Sequence, residues 1–178
     1  MLVGDKERFA VEFALSGEKA RHPDLREWLY GTISFWCGGE RVGLHEETTL
    51  RDVANEAERF LRQAGRRSSE EGLLLDPRDE VMRRIASALF QESGQSDAQV
   101  REDWERFSQF IVSPNVDVFD PWRMVLVEGH GKGRLIWSRR GDEAPRECEL
   151  EEGEFDDVLR AFLAALRLEI SGARGLVP

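Results

Sequence analysis

Asp117 and Asp120 stand close together in the stretch PNVDVFDPW, set among Val116, Val118 and Phe119. Carboxylates paired at this spacing are the residue types that exchange protons as general acid and base, or that grip a divalent cation. Either chemistry needs further groups converging on the pair: a histidine, more carboxylates or a nucleophile. The histidines do not supply such a set. His22 lies in a polar loop, His45 stands beside Glu46 and Glu47, and His130 sits in a glycine-rich turn. None is spaced from another His or Cys as zinc ligands are. The stretch also explains itself locally. Asp120 precedes Pro121, an Asp-Pro pair of the kind that opens turns, and Asp117 shares strand parity with Phe119. The reading is a structural or surface role, with no catalytic residue, no cofactor and no metal assigned. A small hydrolase built on Asp117, Asp120 and a histidine delivered by folding stands as the alternative.

Other chemistries find even less. GHGKG, residues 129–133, has the glycines of a phosphate loop without its context, because a strand follows where a helix should begin. It reads as a hairpin turn. Cys37 closes the apolar run ISFWC, and a thiol buried without a cationic neighbour is inert. Cys37 and Cys148 are too few for a disulfide framework and read as small buried apolar side chains. Arg66-Arg67, Arg83-Arg84 and Arg139-Arg140 are scattered doublets rather than a nucleic-acid-binding stripe.

The net charge is −10 and the sequence pI about 4.9. Such a chain repels phosphate backbones, so nucleic acid is not an expected partner, and it attracts basic proteins. The charge is concentrated. Residues 142–157, DEAPRECELEEGEFDD, hold nine acidic residues and one basic residue, a net of −8. This is either a solvated face or a docking surface for a cationic protein.

The elements that would position these groups follow from periodicity. Phe9, Val11, Phe13 and Leu15 alternate as in a strand. WLYGTISFWC is a second strand, turning at Gly38-Gly39 into ERVGL. A helix starts at Thr49, carries Leu50, Val53, Ala54, Ala57, Phe60, Leu61 and Ala64 on one face, and stops at Gly65. Asp76-Pro77 opens a second helix with Val81, Met82, Ile85, Ala86 and Leu89 inward. Residues 91–103 are polar and read as a flexible linker. WERFSQFIV, WRMVLVE and RLIWSR read as strands, as does RECELEE, which puts Glu147, Glu149 and Glu151 on one face and Cys148 and Leu150 on the other. Phe155, Val158, Leu159, Phe162, Leu163 and Leu166 mark a last helix, with Glu154, Asp156 and Asp157 in its first turn. Trp28, Trp36, Trp104, Trp122 and Trp137 fall in or beside strands, most of them as core, with one or two left as candidate exposed interface anchors that the sequence does not single out.

The expected fold is α+β, a mainly antiparallel sheet of about six strands with about three helices packed on it. Residues 1–170 form a single domain, and residues 171–178, SGARGLVP, a loose tail. The first residues lack a basic head before an apolar run, and no apolar stretch reaches the ~20 residues that span a bilayer. The expectation is a cytoplasmic protein with no membrane partner.

The stretches VGDKERFAVEF, WLYGTISFWCGGERVG, TTLRDV, VDVFDPWRMVLVE, GRLIW and GEFDDVL, taken in order, resemble the immunity protein 42 family of bacterial polymorphic toxin systems. They span most of the chain, and VDVFDPW with GEFDDVL is the most specific combination. The resemblance implies a non-enzymatic protector in contact-dependent competition, binding the toxin domain encoded by the neighbouring gene. It carries over no catalytic residues and does not identify the toxin's chemistry. Joined to the acidic cluster, it makes Glu147, Glu149, Glu151 and Glu152 the expected contacts with a basic toxin, with Asp117, Asp120, Glu46 and Glu47 behind them. A regulatory adaptor without a toxin is the remaining alternative.

Overall fold

The computed structural model describes residues 1–17, 28–68, 71–90 and 95–174. His22, and most of the loop read before the second strand, lie outside them. Strands β1 (Leu2–Gly4), β2 (Phe9–Leu15), β3 (Tyr30–Cys37), β4 (Glu40–Val42) and β5 (Glu47–Thr49) form the first sheet. Its order is β1-β2-β3-β4, with β5 also paired to β3, and every pairing is antiparallel. Helix α1 (Leu50–Leu61) leaves β5 directly, followed by α2 (Glu71–Leu75), α3 (Arg78–Phe90) and α4 (Asp97–Phe107). Strands β6 (Trp122–Gly129), β7 (Lys132–Arg139) and β8 (Arg146–Glu151) form an antiparallel meander, and α5 (Glu154–Arg174) closes the chain.

The α+β antiparallel expectation holds, with the strands divided between two sheets rather than gathered in one. Phe9, Val11 and Phe13 face inward from β2, as their alternation requires. Phe9 stacks on Phe155 at 4.5 Å, and Phe13 meets Phe162 edge-on at 5.2 Å. Helix α5 therefore lies on the first sheet with its whole apolar stripe buried, Phe155, Leu159 and Phe162 completely. Each such side chain contributes about 1.5–3 kcal/mol on leaving water. β6 reads as an unbroken apolar run because both faces of its sheet are covered. Met124 and Leu126 join the main core, while Val125 and Val127 join a smaller one with Val81 and Ile85 of α3 and Phe107 and Phe110. The GHGKG turn is the hairpin read from sequence. His130 (φ 55°) and Gly131 (φ 78°) both take the left-handed conformation that a two-residue hairpin connection uses.

Several expectations fail. WERFSQFIV is not a strand: its first half lies in α4 and Ser108–Phe110 is a 3-10 turn. The linker read at residues 91–103 is likewise helical from Asp97. Ser96 forms a reciprocal capping box with Gln99, and that signal outweighs the weak alternation that suggested a strand. Asp117 and Phe119 do not share a strand face, because Asp117–Phe119 is a 3-10 turn. The last helix also runs past Ser171 to Arg174, into the stretch read as a tail. Of the tryptophans, Trp122 and Trp137 are core, whereas Trp28 and Trp104 are exposed.

Candidate partner-binding surface

β8 carries Glu147, Glu149 and Glu151 outward and buries Leu150, as alternation requires. The carboxylates are not bare, however. Glu147 pairs with Arg134 at 2.6 Å and Glu149 with Lys132 at 3.0 Å. In the β7–β8 register Arg134 stands opposite Glu149, and Lys132 opposite Glu151, so both ion pairs run on the diagonal. Arg134 also donates to the carbonyls of Leu73, Leu74 and Asp76, fastening α2 to the strand. Arg146 meets Glu40 and Asp142 at 3.0 and 3.6 Å. The strand half of the acidic cluster is largely neutralised by its neighbours.

The turn that follows is different. Gly153 turns the chain at φ 84°, and carboxylates crowd around it. Glu152 accepts the Gly131 N–H at 2.8 Å, and Glu128 accepts the Gly153 N–H at 2.9 Å. Glu154 accepts the Glu151 N–H at 2.8 Å. Arg8 reaches Glu151 and Glu154, and Arg160 pairs with Asp157 at 2.6 Å. Arg67, fully buried, donates to Asp156 at 2.9 and 3.1 Å and to Glu128 at 3.5 Å, and binds the Phe60 carbonyl. Six carboxylates (Glu128, Glu151, Glu152, Glu154, Asp156 and Asp157) thus face three guanidiniums. The excess of negative charge sits at the α5 N-terminus, where the helix dipole favours it.

Two clefts flank this turn. One, of about 340 Å³, lies between β1 and the head of α5, walled by Gly4, Glu151, Glu154 and Val158. The other, of about 220 Å³, lies between the end of α1 and the turn, walled by Gly65, Ser68, Glu128, Asp156 and Arg160. Glu152 and Asp157 line both. The arrangement offers hydrogen-bond acceptors and negative potential to lysine or arginine side chains. Geometry of this kind can recognise cations.

The expected contact residues fall into two groups. Glu147, Glu149, Glu151 and Glu152 lie along β8 and its turn. Glu46 and Glu47 are exposed at β5, which the Thr48 hydroxyl ties to Asp117 at 2.8 Å. The Asp117 carboxylate also accepts the Val118 N–H at 2.8 Å, a structural use that stabilises the 3-10 turn. Asp120 is exposed. Neither aspartate lines the clefts described. His45 Nδ1 contacts Arg41 at 2.8 Å, and His130 occupies the hairpin turn. Among the described residues, no group of three or more His, Cys, Asp or Glu is placed to hold a metal ion. No helix among them is long and apolar enough to cross a membrane. Burial pushes the Cys37 thiol well above its ordinary value, and pushes that of Cys148 up to about 11.

Sequence reasoning misses Arg67, which reads only as half of a scattered basic doublet. Its partner Asp156 is 89 positions away, and no local signal announces such a pair. It also misses the division of the acidic cluster, because the neutralising cations are supplied by β7 through register.

The family described as Immunity protein 42 matches residues 1–165 of the chain. No curated protein matches it. Among solved structures, CdiI from Burkholderia dolosa AUO158 superposes with a TM-score of 0.70, covering 93% of this chain and 99% of that one at 20% identity. At that identity the likeness speaks for the fold.

Proposed function

This chain belongs to the immunity protein 42 family, and from that premise we propose that it neutralises its cognate toxin by stoichiometric, non-catalytic binding, with the turn between β8 and α5 as the contact for a basic toxin surface. The observation that carries the reading is the excess of carboxylates over guanidiniums around Gly153, set between two clefts that share Glu152 and Asp157. The toxin is encoded by the neighbouring gene and met in the cytoplasm of the producing cell. The setting is contact-dependent competition, which the fold shared with CdiI supports. Glu147 and Glu149 have lesser roles, because Arg134 and Lys132 already hold them. Complementary charge acts on association rate and salt dependence more than on affinity.

The test is stopped-flow association with the inactivated toxin domain at low salt. Charge reversal by E152K together with D157K slows association roughly tenfold, and added salt erases the difference. E147Q with E149Q changes the rate little. An on-rate indifferent to E152K and D157K removes the turn from the interface.

A further inference from the structure

The free edge of the first sheet lies beside the larger acidic cleft. β1 ends the strand order, so only its β2 side is paired. Met1 exchanges both main-chain hydrogen bonds with Phe13, and the Asp5 N–H donates to the Phe9 carbonyl at 3.1 Å. Bonded and non-bonded pairs alternate along an antiparallel ladder, so Val3 turns its N–H and C=O towards Val11. Leu2 and Gly4, on either side of it, turn theirs outward, where no strand among the described residues meets them. Both residues are exposed. Edge strands are ordinarily guarded by a charged side chain or a proline, and Leu2–Gly4 carries neither. Its three-residue length is the guard that remains, and it limits an added strand to a short pairing.

Side chains of an added strand would alternate between the two faces of the sheet. The residue opposite Val3 points the same way as Val3, which packs on the main core beside α5. That is the side of the cleft of about 340 Å³, whose walls include Val3, Gly4, Glu151, Asp157 and Val158. Among the described residues lining this cleft, four are carboxylates and none is basic. Arg8 and Arg160 reach Glu151 and Asp157 from outside it, and those two acidic side chains stay 79% and 78% exposed. A lysine or arginine opposite Val3 lays its aliphatic stem on Val158 and brings its charge to these carboxylates. The residue opposite Leu2 faces the other side of the sheet, where Leu2 keeps 45% of its surface in solvent, and an apolar side chain there covers it.

We infer that the cognate toxin adds a strand to β1: an extended segment with a lysine or arginine opposite Val3 and an apolar residue opposite Leu2. The inference rests on the immunity reading and carries its contact from the turn at Gly153 to the sheet edge. Outward-facing main-chain donors and acceptors are met by an extended backbone, and a carboxylate-lined groove by a cation. A second copy of this chain supplies the first and not the second. Antiparallel pairing of two β1 edges about Val3 sets Val3 against Val3, with Met1 and Asp5 as the next residues on that face, and brings no basic side chain to the cleft. The net charge of −10 on each copy opposes such pairing further.

The test is amide hydrogen exchange by NMR on the full chain, free and bound to the inactivated toxin domain, with calorimetric affinities for wild type and L2P. Binding slows exchange of the Gly4 N–H on the order of tenfold or more, because it gains a carbonyl partner. Proline at position 2 removes an outward donor and leaves the ladder to β2 intact. L2P therefore keeps its melting temperature and weakens toxin binding on the order of tenfold. A toxin that binds wild type while Gly4 exchanges at its free rate overturns the strand addition and leaves the immunity reading standing, whatever L2P does. A folded L2P that binds as tightly as wild type overturns it as well. No binding by wild type overturns both readings. Slow Gly4 exchange in a free protein that sediments as a dimer, with L2P monomeric at unchanged toxin affinity, assigns the edge to self-pairing and overturns the inference.

Discussion

Replacing Arg67 by methionine removes the cation from an ion cluster that water hardly touches. The side chain of Arg67 is completely buried, and Glu128 and Asp156 are 3% and 2% exposed. The guanidinium joins three elements: the Phe60 carbonyl at the end of α1, Glu128 on β6 and Asp156 in the first turn of α5. Methionine fills much of the same volume, so the loss is electrostatic rather than a cavity. Two buried carboxylates are left without their cation, and breaking a buried pair in this way costs about 3–5 kcal/mol. Glu128 keeps the Gly153 N–H, and Asp156 keeps the helix dipole, worth about 0.3–1 kcal/mol. The lower end, about 3 kcal/mol, is therefore the expectation. Against a typical total of about 5–15 kcal/mol this is a large share. The assay is urea unfolding at pH 7. With a slope of about 1–3 kcal/mol per molar, the midpoint falls by roughly 1–3 M. Adding E128Q and D156N to R67M removes the stranded charges and restores at least half of the loss. A shift for R67M below about 0.3 M at unchanged slope, or a triple variant no better than the single one, refutes the electrostatic account.

Ellman's reagent at pH 8 should leave Cys37 unmodified in the folded protein and modify Cys148 only slowly, because both thiols stay protonated there; both should react at once in urea, and rapid labelling of folded Cys37 would contradict its burial. The Trp36 indole N–H donates to Glu12 at 2.8 Å and, with help from Lys6, holds that carboxyl below its ordinary value. Its stabilising contribution is thus present above the unfolded carboxyl pKa and lost as pH falls through the lower folded value. Trp36→Phe should raise the Glu12 titration midpoint measured by carbon-detected NMR, and an unmoved midpoint would show that the indole bond does not hold the carboxylate.

Elements whose pattern is self-contained are legible in the amino-acid sequence alone. β2 alternates, α1 and α5 carry full apolar stripes, and the turn at His130-Gly131 announces itself. α4 is not legible in this way. Its stripe is half exposed, and nothing in the sequence separates Trp104 from the tryptophans that are core. The acidic composition of residues 142–157 is plain, but its electrostatics are not. Whether Glu149 is bare or paired depends on Lys132, and that depends on a strand register no local rule dictates. Arg67 illustrates the same limit, since an arginine doublet looks like surface until the fold closes over it.

The second sheet is a partition wall. Met124 and Leu126 of β6 belong to the large core on one side, while Val125 and Val127 belong to the small core of α3 and the 3-10 turn on the other. α4 hangs on the small side through Phe107. Mutations that reshape α4 draw on a separate and smaller stability reserve than those that touch Phe9, Phe155 or Phe162. Changes in α4 can therefore accumulate without reopening the packing that lets the chain fold.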